Sequence, residues 1–324
     1  IWTMNISPQP RGKKKNPLVF SLKLAFGVSL FVFLLVYKTS LRDIATVLKT
    51  VDVRWLAIAL SLNAIGLLAS AYRWQILARA QGDVIPLSFL TKSYLVGMFF
   101  SNFLPSSFGG DLVRIWDGSR YSRSLLKSSA IVVVERLTGL IVLFLFALIA
   151  SLFRLDMARR TPVIWVSLAL GVIGLGLIAL FLSPVSKGLI SRLPDRRLLR
   201  TLKEKTLRFR EAVLVYKKEK AAFYKAGVWA FILQANVIFY FFLIGKAFHL
   251  RIGFLDYFII IPIVLLIQAI PVTINGIGLR EGSTIEIFKF YGISAGTAFS
   301  FSLVDFAFRL ILGLIGGVIY VFRK

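Results

Sequence analysis

Cysteine is absent from the 324 residues, and histidine occurs once, as His249 at the end of an apolar run. The first absence excludes disulfides, thiolate nucleophiles and cysteine-based metal sites. The second leaves no histidine cluster for a metal and no Ser-His-Asp set. Acidic residues are scarce as well, 15 Asp and Glu against 40 Lys and Arg, for a formal net charge of +25. Such an excess suits either nucleic acid or an anionic membrane surface. What is abundant decides between them: 57% of the residues are hydrophobic and mean hydropathy is +0.79, whereas soluble domains hold an apolar share of about 45 to 50%. The basic clusters stand between apolar runs, where membrane proteins carry their loops, so a membrane and no nucleic acid is the expected partner. The phosphate-cradling spacing G-x-x-x-x-G-K-[ST] is missing, no cofactor is implied, and the scattered acids predict a non-enzyme.

A spanning helix takes roughly 20 predominantly apolar residues. Eight stretches qualify, near 18–37, 55–77, 88–108, 129–153, 162–183, 225–248, 254–275 and 296–322. They predict an all-α integral membrane protein, with a basic N-terminus over 1–17 and a single polytopic domain over 18–324. Between the fifth and sixth lies 186–225, dense in Lys and Arg, where Leu199, Leu202, Phe209, Val213 and Tyr216 share one stripe of a helix. This reads as a basic amphipathic loop along the headgroups, cytoplasmic like the N-terminus, in a cell (inner or plasma) membrane. Two cytoplasmic ends require an even number of crossings between them, so one of the five intervening stretches does not cross. The third, 88–108, is broken by Gly97, Asn102 and Pro105 and followed by Gly109 and Gly110. Broken backbone at membrane depth is tolerated only under cover of protein or water, which predicts a re-entrant hairpin there, an ordinary tilted helix followed by a loop being the alternative.

Two glycine-rich corners look like copies. The first runs N-F-L-P-S-S-F-G-G-D-L-V-R from Asn102 to Arg114, and the second A-I-P-V-T-I-N-G-I-G-L-R-E-G from Ala269 to Gly282. In each, an arginine (Arg114, Arg280) follows the proline (Pro105, Pro271) by nine residues with an acid beside or near it (Asp111, Glu281). Downstream, Glu135 and Arg136 precede Gly139, and Asp305 and Arg309 precede Gly313, so an acid and a base recur on the next helix. Paired broken segments of this kind point to an inverted repeat with a substrate site between its halves. A charge at the centre of a spanning helix costs about 2.5 to 3.5 kcal/mol on insertion scales, so Asp305 and Arg309 need compensation, either as an i, i+4 ion pair or from a polar cavity. Gly109, Gly110, Gly276 and Gly278 are expected to bring backbone N–H groups close to a ligand, with Arg114 and Arg280 on its phosphate. Asn102, Asn275 and Ser106 complete the substrate-binding set, although Ser106 and Ser107 also read as turn hydroxyls. Arg73, between Tyr72 and Trp74, reads as an interface anchor, and Gln234 and Asn236 as interhelical hydrogen bonds.

The first corner, E-R-L-T-G at Glu135 to Gly139, G-I-G-L-R-E-G at Gly276 to Gly282 and R-W-Q-I-L at Arg73 to Leu77 resemble the lysylphosphatidylglycerol synthase transmembrane-region family over nearly the whole chain. The resemblance implies a flippase-like domain that translocates lipid, with an anionic phospholipid or a polyprenyl-phosphate lipid as partner. Bifunctional members carry a soluble aminoacyl-transferase domain after the membrane part, whereas this sequence ends at Lys324 after its last apolar run, so synthase activity is not expected. A non-transporting envelope scaffold and an integral-membrane enzyme acting on a lipid-linked sugar are the competing classes.

Overall fold

The structure, a computed structural model, describes residues 28–103, 109–153, 162–192, 197–269, 272, 273 and 275–323, and every regular element among them is a helix. In chain order these are α1 (Val28–Lys38), then α2 (Leu41–Lys49), α3 (Val53–Ala80), α4 (Leu87–Phe103), α5 (Gly109–Ser122), α6 (Leu125–Phe153) and α7 (Pro162–Leu182). They continue with α8 (Pro184–Ser191), α9 (Arg197–Lys218), α10 (Lys220–Ala247), α11 (Phe254–Ala269), α12 (Leu279–Phe288) and α13 (Ala295–Phe322).

Among the described residues, α3, α6, α10 and α13 are long and apolar enough to cross a membrane, and Gly171–Leu182 with α8, bent by 64°, would make a fifth span. The chain is therefore a multi-pass membrane protein, and among the described residues four or five helices of spanning length answer to the eight qualifying stretches. Length explains the difference. At 1.5 Å per residue, α4 and α11 rise only about 25 Å, short of a hydrocarbon core of about 30 Å. Half of the first stretch, 18–27, and the prolines Pro105 and Pro271 lie outside the described residues.

The third stretch supplies one arm of a hairpin, α4, and α5 is the other. Ser101 Oγ accepts from Gly110 N at 3.1 Å, and Ser93 Oγ donates to Asp117 Oδ2 at 2.7 Å. As α4 is followed backwards α5 is followed forwards, so the two helices are antiparallel. The hairpin is thus α4 and α5 together, wider than the predicted 88–108. Glycine makes the close approach possible: a Cβ on Gly110 would overlap the carbonyl of Gly97, and one on Gly97 would stand 3.1 Å from the carbonyl of Gly110.

Around this hairpin the long helices pair antiparallel. Asp52 N donates to Ala247 O at 3.0 Å, Asn236 Nδ2 to Leu62 O at 3.2 Å, and the rings of Tyr72 and Trp229 meet edge to face, which aligns α3 with α10. The α4–α5 hairpin leaves one end of this pair and the α11–α12 segment leaves the other. On α13, Gly313, Gly316 and Gly317 form a stripe against α4, where Cβ atoms would collide with Asn102, the Leu95 carbonyl and the Phe99 ring. Small residues of this kind let helix backbones pack closely in lipid.

The predicted amphipathic helix is α9. Its Val213 and Tyr216 are buried with Trp74, Leu77, Ile131 and Val134, so that face packs on α3 and α6, while Lys205, Arg208, Lys217 and Lys218 are exposed. The side chains of Leu199 and Leu202 lie outside the described residues. Tyr216 Oη donates to Leu77 O at 3.0 Å, and Arg210 Nη2 donates to the carbonyls of Leu182 and Ser183, both at 2.8 Å, capping α7.

Candidate functional site

The first turn of α5 sets Asp111 and Arg114 one turn apart, 3.4 Å between Oδ1 and Nη1. Opposite them α6 carries Glu135 and Arg136, adjacent in sequence and so divergent on the helix. Glu135 points inward and accepts from three helices at once: Arg73 of α3 at 3.1 Å, Arg114 of α5, and the Tyr94 hydroxyl of α4. The Arg114 guanidinium also lies over the rings of Tyr94 and Trp74, 3.7 and 4.5 Å from their centroids, an attraction strengthened by desolvation. Arg136 reaches back to Asp111, with Nη2 and Nε 2.7 and 2.9 Å from Oδ2. Its side chain is 52% exposed although it stands about 16 Å along α6 from the helix start. Three arginines face two carboxylates, so one positive charge is unmatched within the cluster, and Nε and Nη1 of buried Arg73 have no hydrogen-bond partner among the described residues.

The second cluster joins α10, α12 and α13. The backbone after α11 reaches α12 through positive φ at Asn275, Gly276 and Gly278 (50°, 74° and 83°), a conformation that glycine adopts without penalty. Glu281 caps the helix start, accepting from Gly278 N at 2.7 Å, and pairs with Arg280. Arg280 Nε also donates to Ser302 Oγ at 3.0 Å. On α13, Asp305 Oδ2 lies 2.8 Å from Arg309 Nη2 and 3.8 Å from Arg280 Nη1, and Oδ1 accepts from the Tyr240 hydroxyl at 3.0 Å. Two arginines meet two carboxylates here, and the charges balance.

The tips of the two corners touch. Asn275 Nδ2 donates to Asn102 Oδ1 at 3.0 Å, and Asn102 Nδ2 donates to the carbonyl of Arg309 at 3.2 Å. Beside this joint lies a cavity of about 530 Å³ between α3, α4, α6, α10 and α13. Arg73, Arg114, Glu135 and Arg136 of the first cluster and Asp305 and Arg309 of the second line it, with Tyr94, Tyr240, Gln234 and Gln268 as neutral polar groups and Leu67, Met98, Leu140 and Leu233 as apolar lining. Among the described residues no group of three or more His, Cys, Asp or Glu could hold a metal ion.

Of the residues singled out in the sequence, Asn102, Arg114, Glu135, Arg136, Asn275, Asp305 and Arg309 line this cavity, and Asp111 stands behind Arg114 and Arg136 as their shared acid. Arg280 and Glu281 do not reach it: both are buried and locked to each other behind Asp305. The expected glycine cradle has a different use. Gly110 N–H is taken by Ser101 and Gly278 N–H by Glu281, a Cβ on Gly276 would run into Gln268, and Gly109 is buried beside Gly110, so the N–H groups of Gly110 and Gly278 are used within the protein and Gly276 allows close packing. Ser106 lies outside the described residues. Arg73 corrects its reading as an interface anchor: it is 6% exposed and bound to Glu135, because Tyr72 faces outward to Trp229 while Arg73 and Trp74 turn inward. The signal available for it was an arginine preceded by no charge since Arg54, inside a helix long enough to bury it. Tyr94, Tyr240 and Gln268 were missed because neutral polar residues on apolar helices carry no distinguishing pattern. Asn236 makes the interhelical hydrogen bond expected of it, to Leu62 O, and Gln234 faces the cavity.

Residues 20–317 match the lysylphosphatidylglycerol synthase TM region. The chain is 25% identical to a UPF0104 membrane protein of Pyrococcus horikoshii, in an alignment covering 92% of this chain and 95% of that one. It is also 25% identical to a UPF0104 membrane protein of Methanothermobacter thermautotrophicus, covering 91% of each, and 24% identical to a second such protein of that organism, covering 81% and 83%.

Proposed function

The chain belongs to the lysylphosphatidylglycerol synthase transmembrane-region family, and from that premise we propose that it is a lipid translocase, a carrier with no bond-making step. Its cavity takes the phosphate-bearing headgroup of an anionic phospholipid or a polyprenyl-phosphate lipid while the hydrocarbon chains stay in the bilayer. The observation that carries this reading is the set of four arginines, Arg73, Arg114, Arg136 and Arg309, that line one cavity among membrane-crossing helices. Ionisable residues at such depth are expensive and mark substrate paths. A cavity of about 530 Å³ falls within the range of about 300 to 1,000 Å³ used for small ligands, enough for a headgroup and too little for its chains. Guanidinium forks match phosphate oxygens two at a time, and Arg136 and Arg309, the more exposed of the four, are the ones assigned to first contact.

On this reading the basic N-terminus and 186–225 are cytoplasmic in a cell membrane, by the positive-inside bias. The α4–α5 hairpin then re-enters from the cytoplasmic side and α11–α12 from the other, an inverted pair whose tips meet at Asn102 and Asn275. Rocking of one half against the other about that joint would expose the cavity to each leaflet in turn. The test is native mass spectrometry of the detergent-purified protein, wild type against Arg136→Ala plus Arg309→Ala. Wild type is expected to retain a phosphate-bearing lipid that the double variant loses; the same lipids on both proteins would overturn the assignment.

A further inference from the structure

We propose that Asp305 is a proton carrier: one proton binds its Oδ2 each time a phosphate headgroup draws Arg309 away from it. The inference rests on the headgroup reading above and adds to it the source of coupling. Asp305 is 1% exposed, whereas the Arg309 side chain is 24% exposed and lines the cavity. The charged and titratable groups facing Asp305 are Tyr240 from α10, Arg280 and Glu281 from α12, and Arg309 on α13 itself; α11 and α4 contribute the neutral amides of Gln268 and Asn102. Arg280 is already committed to Glu281 and lies 3.8 Å from Asp305, so the counter-charge that Asp305 holds for itself is Arg309 at 2.8 Å.

A headgroup phosphate in the cavity competes for that same guanidinium with two oxygens. Once Arg309 turns to it, Asp305 is a buried carboxylate beside an arginine whose charge is spent, and such a group is neutralised by taking up a proton. Oδ1 keeps the Tyr240 hydrogen bond, while Oδ2 accepts no hydrogen bond among the described residues, so a proton from the aqueous side adds there without breaking one. The balance closes: the headgroup brings one negative charge, the proton one positive charge, and the loaded site carries the same net charge as the empty one. Loading is then electroneutral, and a pH gradient across the membrane biases the direction of transport.

The experiment adds short-chain phosphatidylglycerol to detergent-purified protein in weak buffer with a pH-indicating dye, while calorimetry counts the lipid bound. Wild type is expected to take up about one proton per lipid, with affinity tightening about tenfold per unit fall in pH, the slope that linkage gives for one proton. Asp305→Asn is expected to show near-zero uptake per bound lipid and a flat pH dependence. Arg309→Gln, an independent check should the first variant fold poorly, removes the guanidinium that a headgroup would draw away from Asp305, so uptake per bound lipid also vanishes. Lipid bound by wild type without proton uptake, or uptake that survives in both variants, overturns the proton carrier and leaves the headgroup site standing. No lipid bound by wild type at any pH overturns both.

Discussion

At the first corner Glu135 stands between arginines from two other helices, Arg73 and Arg114, whereas at the second Asp305 pairs with Arg309 of its own helix and lies beside an Arg280 held by Glu281. The first arrangement ties α3, α4, α5 and α6 into one brace of three arginines on two carboxylates. The second is local, balanced and partly open to the cavity. Residue types recur between the corners, but their wiring does not, and wiring decides which corner can release a charge. Substitutions can break or sharpen this contrast.

The largest effect is expected for Glu135→Gln, which leaves Arg73 and Arg114 buried together without their acid. Stranding buried charges costs about 3 to 5 kcal/mol, read as loss of stability in detergent by the intrinsic fluorescence of the tryptophans. Asp305→Asn is expected to cost less than half as much, because Arg309 can turn toward the cavity and Arg280 keeps Glu281; equal losses would erase the distinction. Between these two in size comes Gly110→Ala, where the new methyl meets the Gly97 carbonyl. Backbone cannot step aside, and overpacking of this kind costs about 3 kcal/mol. Gly276→Ala, which meets the Gln268 side chain at positive φ, is expected to cost about 1 kcal/mol because that side chain can move. Asn102→Ala and Asn275→Ala are each expected to cost about 1 kcal/mol, the scale of an interhelical hydrogen bond. The double variant should cost less than the two added, since each single change already breaks the joint; full additivity would mean the tips are energetically independent. The smallest effect belongs to Arg200→Ala on α9, an exposed i, i+4 pair with Glu204 worth about 0.3 to 0.5 kcal/mol.

Much of this architecture is written locally in the chain. Four long apolar runs fall on α3, α6, α10 and α13 within a few residues, because twenty or more apolar residues leave few alternatives to a spanning helix. In the sequence, Pro105 with Gly109 and Gly110 announces the reversal that sets α5 antiparallel to α4. The pairing of Asp305 with Arg309 follows from their spacing of four. What is distant in sequence was hidden. Glu135 meets Arg73 across 62 residues and Asn275 meets Asn102 across 173, and no periodicity reports such encounters. Arg280 misled by analogy: it occupies the place of Arg114 in the repeated corner, yet Glu281 immediately after it captures the guanidinium, whereas Asp111 lies three residues before Arg114 and shares itself with Arg136. Arg73 misled by its neighbours, since aromatic residues flanking an arginine look the same at a lipid interface and at the edge of a buried cluster.

The glycine stripe of α13 has a mechanical side. Where side chains interdigitate, two helices can shift only in steps, but Gly313, Gly316 and Gly317 offer α4 a nearly smooth rail. Travel along it has stops at both ends: the Asn102 amide on the Arg309 carbonyl at one, and Arg323 on Asp117 of the attached α5, at 2.6 Å, at the other. A hairpin mounted this way would glide over a short, bounded stroke, and distances between spin labels at Lys92 and Ile311, both exposed, would measure its length; a single sharp distance under all conditions would mean that the rail is never used.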